Sequence, residues 1–212
     1  MRLDKVTRDA LSIGFATGVY AVSFGVLSVA AGLSVAQTCV LSLACFTGAS
    51  QFSYVSVLGA GGSVAAALGP ALLLGARNGV YALSLRKVLR RRFLEAHLVI
   101  DESTAMAHAH GGSRRAFFAT GFSVFAFWNA GTLTGALVGG GVDPKALGLD
   151  ALFPAVFLAL LAPQLRTGPG HPAPAAAIGG AVVAVVLLPL TPAGVPVMAS
   201  ALVGALVLAR RS

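Results

Sequence analysis

From Ala10 onward the chain is a succession of apolar runs, each about as long as a hydrocarbon core is thick, separated by short polar or glycine-rich turns. An α-helix rises 1.5 Å per residue, so roughly 20 apolar residues cross a core about 30 Å thick. A chain built this way folds as a bundle of membrane helices, because only helices or closed barrels satisfy their backbone polar groups inside lipid. Composition agrees. Of 212 residues, 57% are hydrophobic and 10% charged, with a mean hydropathy of +0.86. The expectation is an all-α polytopic integral membrane protein with about seven transmembrane helices. The formal net charge of +8 does not point to nucleic acid, because no basic stripe interleaves with aromatics on a soluble segment. It reports orientation in the membrane instead.

The runs are Ala10 to Ala31, Val35 to Leu58, Ser63 to Leu85, Ala116 to Leu137, Leu149 to Leu165, Ala173 to Leu190 and Ala193 to Ala209. The first lacks a cleavage pattern and is expected to be retained. The second is broken by the small and polar residues Thr47-Gly48-Ala49-Ser50-Gln51, where a local unwinding is expected. Cys39 and Cys45 lie in that run without a CxxC spacing and read as buried packing residues. GxxxG spacing at Gly14 and Gly18, and the ladder Gly131, Gly135 and Gly139, predict close helix packing.

The basic residues suggest two topologies. With seven crossings and the amino terminus outside, ten Lys and Arg become cytoplasmic and four remain outside, with Arg2, Lys5 and Arg8 as the exceptions. That arrangement implies an inverted pair of three-helix repeats, 10–88 and 114–190, a polar connection at 89–113 and a final helix at 193–209. The recurrence of Phe15-Ala16-Thr17-Gly18 as Phe118-Ala119-Thr120-Gly121 hints at such a repeat. The alternative makes the broken second segment re-entrant and puts both termini inside.

Arg77 is the residue whose position most needs explaining. It lies nine residues before the basic cluster beginning at Arg86, roughly 13 Å into the hydrocarbon, where a lone guanidinium costs at least 2.5 to 3.5 kcal/mol by estimates of about that size. It requires a partner or a wet cavity. One reading makes Arg77 the ligand of a substrate carboxylate, with Asn78, Gln51, Ser50 and the backbone at Gly48 and Ala49 supplying other contacts and Asn129 joining from the second half. The other has Arg77 bond helix carbonyls or Gln51 and lock two spans together. Asp101 and Glu102 lie in the polar connection near His97, His108 and His110, where a metal or proton role is the minor reading beside plain solvation. No phosphate loop, HExxH or GxSxG signature is present, so no enzyme and no cofactor is expected, and a gradient is the default energy source for transport.

Gly25 to Gln51, with its Phe-Gly, Gly-Leu-Ser and Gly-Ala-Ser-Gln, resembles the AzlC family of branched-chain amino acid permeases. So do Arg77-Asn78 with Tyr81 to Leu85, the pair Asp101-Glu102, Phe127-Trp128 with Gly131-Thr132, and Gly148-Leu149-Asp150 leading to Ala162-Pro163-Gln164, in the same order. The resemblance implies a bacterial inner-membrane subunit that works with a small AzlD-type membrane protein to export valine, leucine, isoleucine or methionine. At two positions the chain departs from the family pattern. Gly75 stands where an asparagine is usual and Asn78 where a histidine is usual, so a proton role for that histidine does not transfer.

Overall fold

The structure, a computed structural model, describes residues 4–91, 95–141 and 171–209, with scattered residues between 143 and 166. Among them are eight α-helices and no strand. The expected run Leu149 to Leu165 lies mostly outside the described residues. Helices α1 (Lys5–Ala30) and α6 (Arg114–Gly139), each of 26 residues, are long and apolar enough to cross a membrane. Each starts on a side-chain cap, Asp4 accepting from the Thr7 amide and Ser113 from the Ala116 amide.

Glycines let these two helices touch backbone to backbone. Gly14 lies against Ser123 and Phe127, Gly131 against the Gly18 carbonyl, Gly135 against the Val22 carbonyl, and Gly139 against Val26. The numbers rise together along both helices, so α1 and α6 run in the same direction. An ion pair between Asp4 and Arg115 joins their starts. This corrects the expectation from an inverted repeat with seven crossings, which sets the first and fourth spans antiparallel.

The second apolar run is a hairpin, not a crossing. Helix α2 (Val35–Ala44) starts on a capping box between Ser34 and Gln37 and heads inward, where the Ser42 hydroxyl meets that of Thr132 at 3.2 Å. The chain breaks at Cys45–Thr47, and α3 (Gly48–Gly59) returns along the same path. Gly48 lies against the Trp128 ring, Phe52 stacks on Tyr20 with centroids 4.8 Å apart, and Gly59 ends beside Ala31. Both open ends of the hairpin therefore lie where α1 and α6 finish, and its tip reaches their middle. The full crossing expected over Val35 to Leu58 is overturned in favour of the re-entrant alternative. The break also comes earlier than expected, and Gly48 to Gln51 form the first turn of α3. Cys45, expected to be buried, is exposed at this break.

Helix α4 (Val64–Ser84) runs opposite to α1 and α6. Pro70 inside it leaves the Ala66 carbonyl without its helical donor, and the Gly194 backbone, at φ +96°, sits over that oxygen. An added Cβ at Gly194 would come within 2.6 Å of it. At the other end Arg114 donates to the Val88 carbonyl and pairs with Glu95. From there a second hairpin dips inward. A 3₁₀ turn (Ala96–Leu98) leads down, and α5 (Asp101–Ala109) leads back to α6. His97 packs between Phe46 and Phe125, both centroids 5.7 Å away, so the two hairpin tips meet from opposite ends of the bundle. The stretch read from the sequence as a polar connection is thus, at Leu98 to Ile100, part of the buried interior. Helices α7 (Ala173–Leu187) and α8 (Val195–Ala209) pair with each other, and α8 meets α4 where Met198 lies against Gly69.

Candidate functional site

A cavity of about 320 Å³ lies where the two tips meet. Thr17 and Tyr20 line it from the middle of α1, and Val124 and Trp128 from the middle of α6. The first hairpin contributes Phe46, Thr47, Gly48, Ala49 and Phe52, the second Ile100, Asp101 and Glu102, and α4 contributes Arg77. Two helices begin here, α3 at Gly48 and α5 at Asp101. The first amides of a helix have no partner inside it and carry the positive end of its dipole. At α5 that end faces two acids of its own first turn. At α3 the first turn holds no acid, so the positive end of the helix at Gly48 and Ala49, both in the cavity lining, is uncompensated.

Gly48 is small for a reason that can be measured. A Cβ there would come 2.7 Å from the Trp128 ring, so a side chain would close this wall. Trp128 is fixed in turn by Gln51, whose Oε1 accepts from the indole N–H at 3.0 Å. The Gln51 amide nitrogen lies 2.8 Å from the Cys45 carbonyl and 3.3 Å from those of Leu41 and Ser42. It supplies a donor to the Ser42 carbonyl, which the end of α2 leaves without a backbone partner, and adds to the carbonyls of Leu41 and Cys45, which already accept from the Cys45 and Thr47 amides. Gln51 is therefore the staple of the break, with both ends of its amide engaged, and it lies outside the lining of this cavity.

Arg77 has the partner that its depth requires, and it is neither Gln51 nor a helix carbonyl. Its guanidinium donates to Asp101 at 2.6 Å, and the Tyr81 hydroxyl, one turn along α4, donates to the other oxygen of the same carboxylate at 2.8 Å. Asp101 is thus held from two sides. Glu102 is not. Among the described residues its carboxylate has its own amide N–H as hydrogen-bond partner. The nine-residue α5 is not a spanning segment, and burial beneath the surrounding helices raises the Glu102 carboxyl above its ordinary value, with the neighbouring Asp101 charge adding to the effect.

Of the residues singled out from the sequence as substrate contacts, Arg77, Gly48 and Ala49 line this cavity. Ser50 and Gln51 face a second, largely apolar cavity of about 560 Å³ behind α3, bounded by Leu41, Tyr54, Leu72 and Gly75. Asn78 is outside the lining, its Oδ1 buried without a partner among the described residues. Asn129 donates to the Phe125 carbonyl at 2.8 Å on its own helix and is also outside. Tyr20 and Trp128 were not singled out as ligands, and Asp101 and Glu102 were weighed only for a metal or proton role beside the histidines, not as substrate contacts. For the acids a signal existed, since the apolar Leu98-Val99-Ile100 directly precedes them in an otherwise polar connection.

The cavity offers amide donors at one wall, a carboxylate at the opposite hairpin, and the rings of Tyr20, Phe52 and Trp128 between. That set fits a small zwitterion with an apolar side chain. A family model described as AzlC protein matches residues 12–142, which takes in most of α1, all of α2 through α6 and every residue of the cavity. An uncharacterized membrane protein of Archaeoglobus fulgidus is 32% identical over 192 residues, covering 88% of this chain and 84% of its own. An uncharacterized membrane protein of Helicobacter pylori is 29% identical over 158 residues, covering 70% and 69%. No solved structure matches with significance.

Proposed function

Because the chain belongs to the AzlC protein family of membrane proteins, we propose that it is a transporter subunit that carries a branched-chain amino acid through the cavity between its two hairpin tips. The observation that carries this reading is the pairing of an acid-free helix start, Gly48 and Ala49, with an unclamped acid, Glu102, across one small cavity. The α-carboxylate goes to the α3 amides and the ammonium to Glu102, while the aliphatic group lies among Tyr20, Phe52, Val124 and Trp128. About 320 Å³ is at the small end of ligand pockets, which suits valine, leucine or isoleucine better than a bulky amine. Arg77 in this reading positions Asp101.

Orientation follows from charge. The starts of α1 and α6 and the end of α4 gather Lys5, Arg8, Arg86, Lys87, Arg90, Arg91, Arg114 and Arg115 at one end of the bundle. The positive-inside rule places that end in the bacterial cytoplasm, and Lys5 and Arg8 cease to be exceptions. Export of the amino acid, and assembly with a small AzlD-type membrane protein, are the family-derived parts of the proposal. The test is efflux of preloaded labelled valine from cells producing this chain with such a partner, with Ala49→Asp at matched membrane abundance as the comparison. Efflux that Ala49→Asp abolishes supports the α3 amides as the carboxylate site, and undiminished efflux rejects it.

A second reading is favoured by the contact between Arg77 and Asp101, which fastens α4 to α5 as a structural lock would. On that reading the chain is a non-transporting scaffold. It predicts that Arg77→Gln lowers thermal stability and abundance, whereas the transport reading predicts loss of valine efflux at retained abundance.

A further inference from the structure

Two adjacent acids enter the same cavity with different partners, and the difference divides their work. Asp101 receives the Arg77 guanidinium at 2.6 Å and the Tyr81 hydroxyl at 2.8 Å, so its charge is matched in place. Glu102 lines the same cavity with no ion pair among the described residues, and the Arg77 charge, engaged by Asp101, is the weakest of the influences on it. With Arg77 and Asp101 cancelling, an ionised Glu102 would leave the empty cavity with one uncompensated negative charge amid Tyr20, Phe52, Ile100 and Trp128. A carboxylate in apolar surroundings avoids that state by holding a proton. Burial does raise the Glu102 carboxyl.

Resting on the amino acid site argued above, we propose that Glu102 exchanges its proton for the ammonium group of the substrate, so that this chain is a proton/amino acid antiporter with one proton per substrate. The empty cavity carries Glu102 protonated. An arriving zwitterion sets its ammonium against Glu102, whose O–H proton leaves to solvent; the ionised Glu102 and the ammonium then compensate each other, and the substrate's own carboxylate is met by the positive end of α3. Proton and substrate occupy the same carboxylate in turn and never together, which is the condition for exchange. The proton gradient then drives the amino acid outward by refilling Glu102. Other charged or titratable groups face this point, namely Asp101 on α5, Arg77 and Tyr81 on α4, and Tyr20 on α1; α3 and α6 contribute none to the lining. Asp101 and Arg77 remain paired through the exchange, so neither carries the proton.

The experiment uses the full chain in nanodiscs and measures valine affinity against pH, together with proton release into weakly buffered solution when valine is added. In wild type the apparent affinity rises tenfold per pH unit while Glu102 holds its proton and then levels off, and up to one proton appears per valine bound. Glu102→Gln is expected to release no proton and to bind valine with an affinity independent of pH. Glu102→Asp restores both the release and the slope, which a purely structural role would not do. Wild-type binding with no proton release and no pH slope overturns the exchange while leaving the amino acid site standing. A slope that persists in Glu102→Gln but vanishes in Asp101→Asn overturns the assignment to Glu102. No valine binding by wild type at any pH removes the site and this inference with it.

Discussion

Single residues in this molecule are placed by what they must satisfy. Gln51 looked like a ligand because it is a polar side chain in an apolar run, but it is 1% exposed and bonded at both ends of its amide. Gln51→Leu is expected to leave the Ser42 carbonyl and the Trp128 N–H without partners, lowering stability by roughly 2 to 4 kcal/mol and visible as a drop in melting temperature. Arg77 was legible as a residue in need of a partner, because charge at that depth is never free of consequence. Its partner was not legible, since Asp101 lies 24 positions away and reaches it through a hairpin that the sequence presents as a polar connection. Glu95 behaves as a residue of the basic end. The Arg114 guanidinium holds its carboxyl at about 2, against an ordinary 4.5. A lowered folded value means that ionised Glu95 stabilises the fold above pH 4.5 and ceases to do so as pH falls toward 2. Melting temperatures of wild type and Glu95→Gln should therefore differ at pH 6 and converge near pH 2.

Elements follow local signals closely. The capping box at Ser34 and Gln37 starts α2, the Ser63 side chain caps α4, and the small-residue break after Ala44 ends one half-helix and begins another. The direction of the returning half was hidden, because a helix that turns back and one that continues across have the same composition. What decides it is packing at both ends of α3, Gly48 on Trp128 and Gly59 beside Ala31. The glycine ladder on α6 was read correctly as packing, and its tightness sets a further prediction. A side chain at Gly135 would collide with the Val22 carbonyl, so Gly135→Val should separate α1 from α6 and destabilise the protein by about 1 to 3 kcal/mol or more. Gly140→Val, where nothing lies within reach of an added Cβ, should be tolerated in the same assay.

At the scale of the whole molecule, the parallel pair α1 and α6 with two hairpins entering from opposite ends replaces an antiparallel inverted repeat. The charge distribution already leaned this way, since the amino-terminal basic residues fit poorly outside, but composition alone does not order helices in space. The arrangement puts the start of α1 and the turn before α6 on one side of the membrane. Cysteines introduced at Arg8 and at Gly111 should thus react with an impermeant thiol reagent from the same side of oriented vesicles, whereas seven crossings would put them on opposite sides. The central claim is that the cavity between the hairpin tips holds an amino acid. Its most direct measurement is the rate at which a small thiol reagent modifies Ala49→Cys, with Cys39 and Cys45 replaced by serine, in the presence and absence of valine. Binding there predicts that saturating valine slows modification at least tenfold and that isobutylamine, which lacks the carboxylate, does not. Equal rates with and without valine would contradict the account.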